Sequence, residues 1–516
     1  MIHRQPLTIL IILCLLLLGA CKGGGQDASE DELSTFGAYV HQLDTAKLTA
    51  AMNRIVKGDT ARWIADMTVR QRYTDIPQFE EKPVWFSRMG VSEDADSLLA
   101  FLRREAPRNG LDTLAFFVPQ IAEDLAIVRE LAFDSLGVDI NDLLPRLDYR
   151  LSKAYVRYTT GQRFGFMRPD RVFNRLQMKP DSSSYAQLFD YEVKAPDYKA
   201  SLQQLTSDDR MQYLASSVPS SSVYKSLQNR LLQSTSPDER TKLAVNMERS
   251  RWQVTQPTDP SRMVIVNIPA QQLWAVGTDS VLNMRIVCGA TKTKTPLLIS
   301  AISHVEVNPE WVIPLNILKN EVAHHAGDSA YFARNHYHIV DRSSGDTLNP
   351  VQVSAAQLSS GRVRVAQRGG PGNSLGRIVF RFQNNFAVYL HDTNNHGAFK
   401  RDRRTLSHGC VRVADAFGLA CFLMPEMDEH MRDRLRLSMD LAPVTDYGRE
   451  YLSEHAEEPR PFRLISYRHV SPRVPVYLVY YTAYPNPASG AIEQWPDLYG
   501  YDAAIRHAAG YYLLKK

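Results

Sequence analysis

Little in the bulk of this 516-residue chain points to a partner. Lysine and arginine number 60 against 56 acidic residues. That net charge of +4 is too small for the length to argue for nucleic acid or an acidic polymer. No Cys-x-x-Cys spacing and no His-Glu-x-x-His spacing occurs, so no metal is expected, nor any other cofactor. No segment repeats at a fixed period. Glycine-poor stretches and 44% hydrophobic, 22% charged and 9% aromatic residues are ordinary for folded chains, with apolar material for sizeable cores. The length suits two or three compact units.

The N-terminus is more specific. A short basic start ending at Arg4 precedes an apolar run from Leu7 to Leu18. The run falls short of the roughly 20 residues a spanning helix needs and suits a signal-peptide core. It ends in Leu18-Gly19-Ala20-Cys21, which resembles a bacterial lipobox, with Cys21 as the lipidated residue. The expectation is a lipoprotein with a signal peptide over 1–20 and a tether over 21–40, anchored in a Gram-negative envelope and facing the periplasm. Cys14 leaves with the signal and Cys21 takes lipid. Cys288, Cys410 and Cys421 remain, an odd number that leaves at least one thiol unpaired in an oxidising compartment.

Along the chain, apolar residues at spacings of three and four predict helices through Leu98, Phe101 and Leu102, from Ile121 to Ala132, from Leu147 to Tyr158, and from Tyr224 to Leu231. The character changes at Met263. β-rich runs follow at Val264–Ile268, Val281–Val287, Ser303–Val307, Ile378–Phe382, Phe386–Leu390 and Val474–Tyr481, with helices expected only at Leu315–Phe332 and Ala414–Leu423. The fold class is α+β: a helical domain over 41–255, a mainly β domain over 260–440, and a C-terminal segment over 441–516 whose strand completes the fold.

The sharpest local feature is Ser407-His408-Gly409-Cys410-Val411-Arg412. A thiol is a nucleophile only as thiolate, so it needs a nearby base or a positive field. Gly409 permits a tight turn that would aim consecutive amides at one oxygen, the geometry of an oxyanion hole. His391, 19 residues upstream, lies where an apolar strand opens into a polar loop, a common way to present a base.

These residues resemble the motifs of the L,D-transpeptidase family with the YkuD-type catalytic domain, in its large scaffold-bearing form. His391-Asp392-Thr393 and Ser407 to Arg412 match its two signatures. Leu243 to Trp252, Asn267-Ile268-Pro269, Gly289 to Thr295, Asn308-Pro309 with Trp311 and Pro314, Asn373 with Leu375-Gly376, Thr482-Ala483 and Arg163-Phe164-Gly165 follow in family order. The resemblance implies a helical scaffold, a catalytic domain with a capping insertion at about 315–367, and transfer of stem tetrapeptides into 3→3 crosslinks through a cysteinyl acyl-enzyme. Cys410 would be the nucleophile and His391 the proton acceptor and donor. Amides of His408, Gly409 and Cys410 would hold the oxyanion, and Arg412 would order the loop. No acid is assigned to a triad. Ser407, Arg403, Arg404, Asn308 and Trp311 are candidate substrate contacts. One departure is plain: only Gln233 to Lys242 separate the last scaffold helix from the Leu243 segment, leaving no room for a peptidoglycan-binding module.

Blander readings stand beside these. His408 can be a loop-ordering residue, His396 solvent-exposed, Cys288 and Cys421 small core hydrophobes, and the Arg401, Arg403, Arg404 cluster a solvated loop. A papain-like peptidase is disfavoured because His precedes Cys. An L,D-carboxypeptidase or hydrolase on the same fold, and a non-catalytic wall-binding lipoprotein, are the remaining alternatives. The expected partners are peptidoglycan stem peptides and, through the anchor, a membrane.

Overall fold

The computed structural model describes residues 39, 42–74, 79, 83–176, 187–254 and 261–515. The expected signal peptide, Cys21 and most of the tether lie outside the described residues. Among the described residues no helix is long and apolar enough to cross a membrane. The chain forms two compact units that are not contiguous in sequence: Met1–Arg163 with Pro196–Pro219, and Phe164–Ala195 with Ser220–Lys516.

The first unit is helical and built on one long helix, Ile140–Phe164. Its apolar residues Leu144, Leu147, Leu151 and Tyr158 recur at helical spacing and are buried. Several of its polar residues are buried as well, among them Asp148 and Arg157, and these have partners. Asp148 accepts the amides of Val84 and Trp85 at 2.8 Å, and Arg157 reaches Asp66 at 2.6 and 2.7 Å. Such charges persist in a core only when their hydrogen bonds are met.

The second unit is a closed ring of eight strands: β1 (Met263–Asn267), β2 (Gln272–Val276), β3 (Val281–Gly289), β4 (Leu297–Val307), β5 (Ile378–Phe382), β6 (Leu390–His391), β7 (Val411–Val413) and β8 (Tyr467–Val479). The order β5-β6-β7-β3-β2-β1-β8-β4 closes through β4 pairing with β5. Two neighbours run parallel, β6 with β7 and β1 with β8. The short strand Thr405–Ser407 adds to the end of β3.

Several elements depart from the expectation. Phe386 to Leu390 is not a strand. Ala387 has φ +53°, a left-handed conformation that an extended strand excludes, and pairing begins only at Leu390. The side chain of Asn384 shapes this bend by accepting the amides of Phe386 and Val388 at 3.0 and 3.1 Å. Leu315–Phe332 is broken into Leu315–Asn320, a 3-10 turn at Val322–His325, and Ser329–Arg334. Further helices occur at Glu429–Ser438, Asp446–Glu454 and Tyr501–Ala509. Asp428 and Thr445 cap the first two through side-chain oxygens.

Helices Ser222–Gln233 and Pro237–Arg251, grouped with the helical part by sequence, pack in the barrel unit. Asn246 exchanges two hydrogen bonds with Thr482 at 2.9 and 3.0 Å. Arg249 binds Asp502 at 2.6 Å, and Glu248 accepts the Phe166 amide at 2.7 Å. A Cβ on Gly165, at φ +88°, would lie 2.7 Å from the Trp252 ring. The scattered family-like segments thus meet in one buried polar joint.

The insertion forms its own subdomain. Trp311–Val312, Tyr337–Asp341, Thr347–Leu348 and Val363–Gln367 make a four-stranded sheet over a core that includes Phe332, Ile339, Leu358 and Val365.

Candidate active site

Strand β6 carries His391, and β7 begins immediately after Cys410. Leu390 stands opposite Val411 and His391 opposite Arg412. Extending that register by one residue brings Tyr389 opposite Cys410, and the Val411 amide donates to the Tyr389 carbonyl at 3.1 Å. Neighbouring strands therefore bring together the two residues that sequence singled out.

The turn before Cys410 is held at each residue. Ser407 is buried. Its hydroxyl donates to the Cys410 carbonyl at 2.6 Å and accepts the Gly409 amide at 3.1 Å. Its own carbonyl accepts from Ala290 N and Thr293 Oγ1, both at 2.9 Å. Gly409 has φ +121°, a conformation that favours glycine. Buried Thr295 donates from Oγ1 to the Gly409 carbonyl at 2.8 Å and accepts the Gly289 amide at 2.8 Å. Tyr499 closes the set, donating to the Gly289 carbonyl at 2.6 Å and accepting the Thr295 amide at 3.2 Å.

This corrects one assignment. The Gly409 amide is engaged by Ser407, so it is not a free oxyanion donor. Gly409 stands out for its conformation, and the amides of His408 and Cys410 are the expected donors that Ser407 does not engage.

The thiol is partly exposed and donates to the Ala387 carbonyl at 3.8 Å. Burial of the sulfur raises its pKa above the usual thiol value, with Tyr389, Arg381 and Arg412 pulling the other way. His391 is 4% exposed. Burial first, and then the Arg412 charge, push its imidazole down to about 3, offset in part by backbone groups of Asp392 and Leu375. Its Nδ1 is buried without a hydrogen bond. Among the described residues no hydrogen bond joins Cys410 to His391, and none runs from the ring to a side-chain carboxylate. Asp392 instead accepts the Arg377 amide at 2.8 Å. Both shifts favour the uncharged forms of thiol and imidazole, and the sulfur rests against the Ala387 carbonyl. Free sites commonly show such loose pairs, which tighten around substrate.

Other expected residues divide. Arg412 does not stitch the loop: its Nε is buried and unbonded, and burial lowers its pKa with Cys410 opposing. It acts as a charge beside thiol and imidazole. Arg404 is no substrate contact. It is 6% exposed and donates to the carbonyls of Ile286, Arg401 and Gln271 at 3.0, 2.7 and 3.1 Å. Arg403 is exposed and holds Thr405 Oγ1 at 3.2 Å. Asn308 turns its amide onto the Ser438 carbonyl at 2.7 Å, so it braces the base of the insertion. Trp311 packs against the capping core and also reaches the Tyr389 hydroxyl. His408 extends to the insertion, where its Nε2 lies 2.7 Å from Glu321 Oε1. Exposed His396 lies 3.6 Å from Asp392.

Cys288 is buried and its thiol is pushed up to about 12, chiefly by burial. Cys288, Cys410 and Cys421 are all free. Among the described residues no cluster of His, Cys, Asp and Glu suits a metal. A cleft of about 420 Å³ lies behind Asp392 but is not lined by Cys410.

Sequence reasoning missed Tyr389, whose ring carries the Arg381 guanidinium at 4.7 Å and whose hydroxyl meets the thiol. It also missed Thr295 as the residue that holds Gly409. A period-two reading from His391 back to Tyr389 would have found the first; nothing local marks the second.

Residues 261–428 match the family model of the L,D-transpeptidase catalytic domain (YkuD), and residues 77–231 match that of a scaffold domain. A protein of Haemophilus influenzae named "Putative L,D-transpeptidase" is 31% identical over 271 residues, which cover 52% of this chain and 49% of that protein. The chain thus spans about half the length of the curated relative it matches. With the barrel and the His391 and Cys410 strands already in place, these matches show that the chain carries a YkuD-type L,D-transpeptidase catalytic domain together with a scaffold domain.

Proposed function

We propose that the chain is a peptidoglycan L,D-transpeptidase that forms 3→3 crosslinks through a thioester on Cys410. The observation that carries this is the thiol itself. It is partly exposed, at the end of a turn pinned by Ser407 and Thr295, on the strand that pairs with the one carrying the buried His391.

In this reading the Cys410 sulfur attacks the carbonyl of the third residue of a stem tetrapeptide while its proton passes to His391. The Cys410 amide donates to the developing oxyanion, and the Arg412 and Arg381 charges favour the anionic forms. The C–N bond to the terminal D-alanine breaks, and the departing amine takes the proton from His391. An acceptor amine from a second stem, deprotonated by His391, then attacks the thioester and releases the thiol. The insertion, tied to the catalytic loop through His408 and Glu321, covers the acyl-enzyme, and substrate grip rests on this unit in place of a separate wall-binding module. Cys21 would carry the lipid and place the enzyme at a membrane facing the periplasm.

The deciding experiment incubates the protein with disaccharide-tetrapeptide and resolves products by mass. Crosslinked dimers with loss of D-alanine support transpeptidation. Tripeptides alone make it an L,D-carboxypeptidase, and unchanged substrate a binding protein.

A further inference from the structure

The catalytic strands belong to a longer row of side chains. Tyr389 stands opposite Cys410 by the β6–β7 register and, by the β5–β6 register, opposite Arg381. Arg381 pairs with His304 on β4, and His304 pairs with His469 on β8. Directly paired residues project to the same face of a sheet. Cys410, Tyr389, Arg381, His304 and His469 therefore form one row across five strands.

The far end of the row opens into a cleft of about 400 Å³ lined by Ser303, His304, Tyr467, His469, Ser471 and Arg473. Tyr467 packs its ring 4.8 Å from both His304 and His469. A register shift in β8 between His469 and Val474 throws Ser471 and Arg473 outward as one wall.

Ser303 and His304 are used by the fold, but other donors here are not. Arg381 is occupied, bound to Glu306 at 2.9 Å and stacked on Tyr389. Arg473 and Ser471 make no hydrogen bond or ion pair among the described residues, and His469 uses only its Nδ1, 3.4 Å from the Tyr467 hydroxyl. Glu306 is the acidic group facing the row, and Arg381 already neutralises it. His304 is held below the usual imidazole range by burial, with Glu306 pulling it back and Arg381 and His469 pushing it further down. The cleft is thus an electropositive recess with unsatisfied donors. Strands lie about 4.8 Å apart, so four gaps carry the row roughly 19 Å along the curved barrel wall, halfway round the ring of eight, and a chain that follows it needs at least five to six extended residues.

We infer that this cleft is a remote subsite that binds a carboxylate of the wall polymer carrying the donor stem, with Arg473 and His469 as its ligands. The inference rests on the function proposed above and names where that substrate is anchored away from the scissile bond. Arg473 presents the fork that suits a carboxylate.

The test uses the full chain with Arg473→Glu, Arg473→Lys and His469→Ala. These exposed positions lie outside the catalytic machinery. Soluble wall fragments bearing tetrapeptide stems serve as the long probe and a carbapenem as the short one. Loss of a charge-assisted contact should raise KM for the fragments roughly tenfold in Arg473→Glu. The value of kcat and the rate of carbapenem adduct formation should stay near wild type, and Arg473→Lys should recover most of the KM. An unchanged KM, or a carbapenem rate that falls in step with it, overturns the subsite. Wild-type protein that forms neither adduct nor crosslink overturns the proposed function instead.

Discussion

Thr295 Oγ1 bridges two backbones, donating to the Gly409 carbonyl and accepting the Gly289 amide, each at 2.8 Å. The peptide that turns the chain into Cys410 is thereby fixed from a residue more than a hundred positions upstream. Thr295→Val keeps the shape and removes both bonds. Two buried backbone groups left unsatisfied cost about 1–3 kcal/mol each. The expected outcome is a lower unfolding midpoint together with a fall in kcat, while KM stays close to wild type. Thermal unfolding and steady-state kinetics on the same sample check it, and a fall in KM-dependent terms alone would contradict the assignment.

Cys410→Ala should remove acyl transfer with little change in stability, because a partly exposed thiol adds little packing. In the wild-type protein a carbapenem should form one adduct, located by peptide digestion on the segment holding Cys410. Cys288, which is buried and has its thiol pushed up to about 12, should react far more slowly with thiol reagents. Intact-protein mass spectrometry, with thiol titration alongside, measures both. A second adducted cysteine would show that Cys410 is not specially placed.

His391→Ala should lower turnover by about 10²–10⁴-fold, whereas His408→Ala, which breaks only the exposed contact to Glu321, should cost much less. Because the imidazole pKa is lowered to about 3, the folded protein binds fewer protons here than the unfolded chain. His391 therefore contributes stability above the ordinary imidazole range that is lost as pH falls through it towards about 3. Denaturant unfolding between pH 7 and pH 4 should show wild type losing more stability than a His391→Gln variant. Equal slopes would mean that the ring is not held neutral.

Cys21→Ala should abolish labelling by fatty-acid analogues and release the protein from the membrane fraction. Wild-type protein found unlabelled and soluble would remove the anchor from the scheme.

The legible part of the site was whatever short-range pattern could carry. The thiol, its glycine and the histidine at a strand end have local chemistry that shows without a fold. Arg404 misled because an arginine beside a motif looks the same whether it faces solvent or, as here, backbone carbonyls in the interior. Gly409 misled similarly: sequence shows that a turn is possible, but not that the Ser407 hydroxyl takes its amide. Phe386 to Leu390 has strand composition, yet Asn384 bends it through side-chain bonds that composition does not register. The helices Ser222–Gln233 and Pro237–Arg251 look continuous with the helices before them, whereas the second is drawn to the barrel by partners such as Thr482 and Asp502, over two hundred residues later.

Ring closure has a consequence for handling and for biogenesis. The stretch matched by the catalytic-domain model ends at residue 428, but β8, which joins β1 to β4, spans Tyr467–Val479, and Tyr499 lies later still. A fragment trimmed to the matched limits would carry both motif residues and still expose two unpaired strand edges, a template for aggregation. The same geometry times the enzyme during its synthesis. Cys410 emerges from the ribosome well before the strand that closes the ring and before Tyr499, which braces Thr295 and Gly289 behind its turn, so that surrounding is completed only late in synthesis.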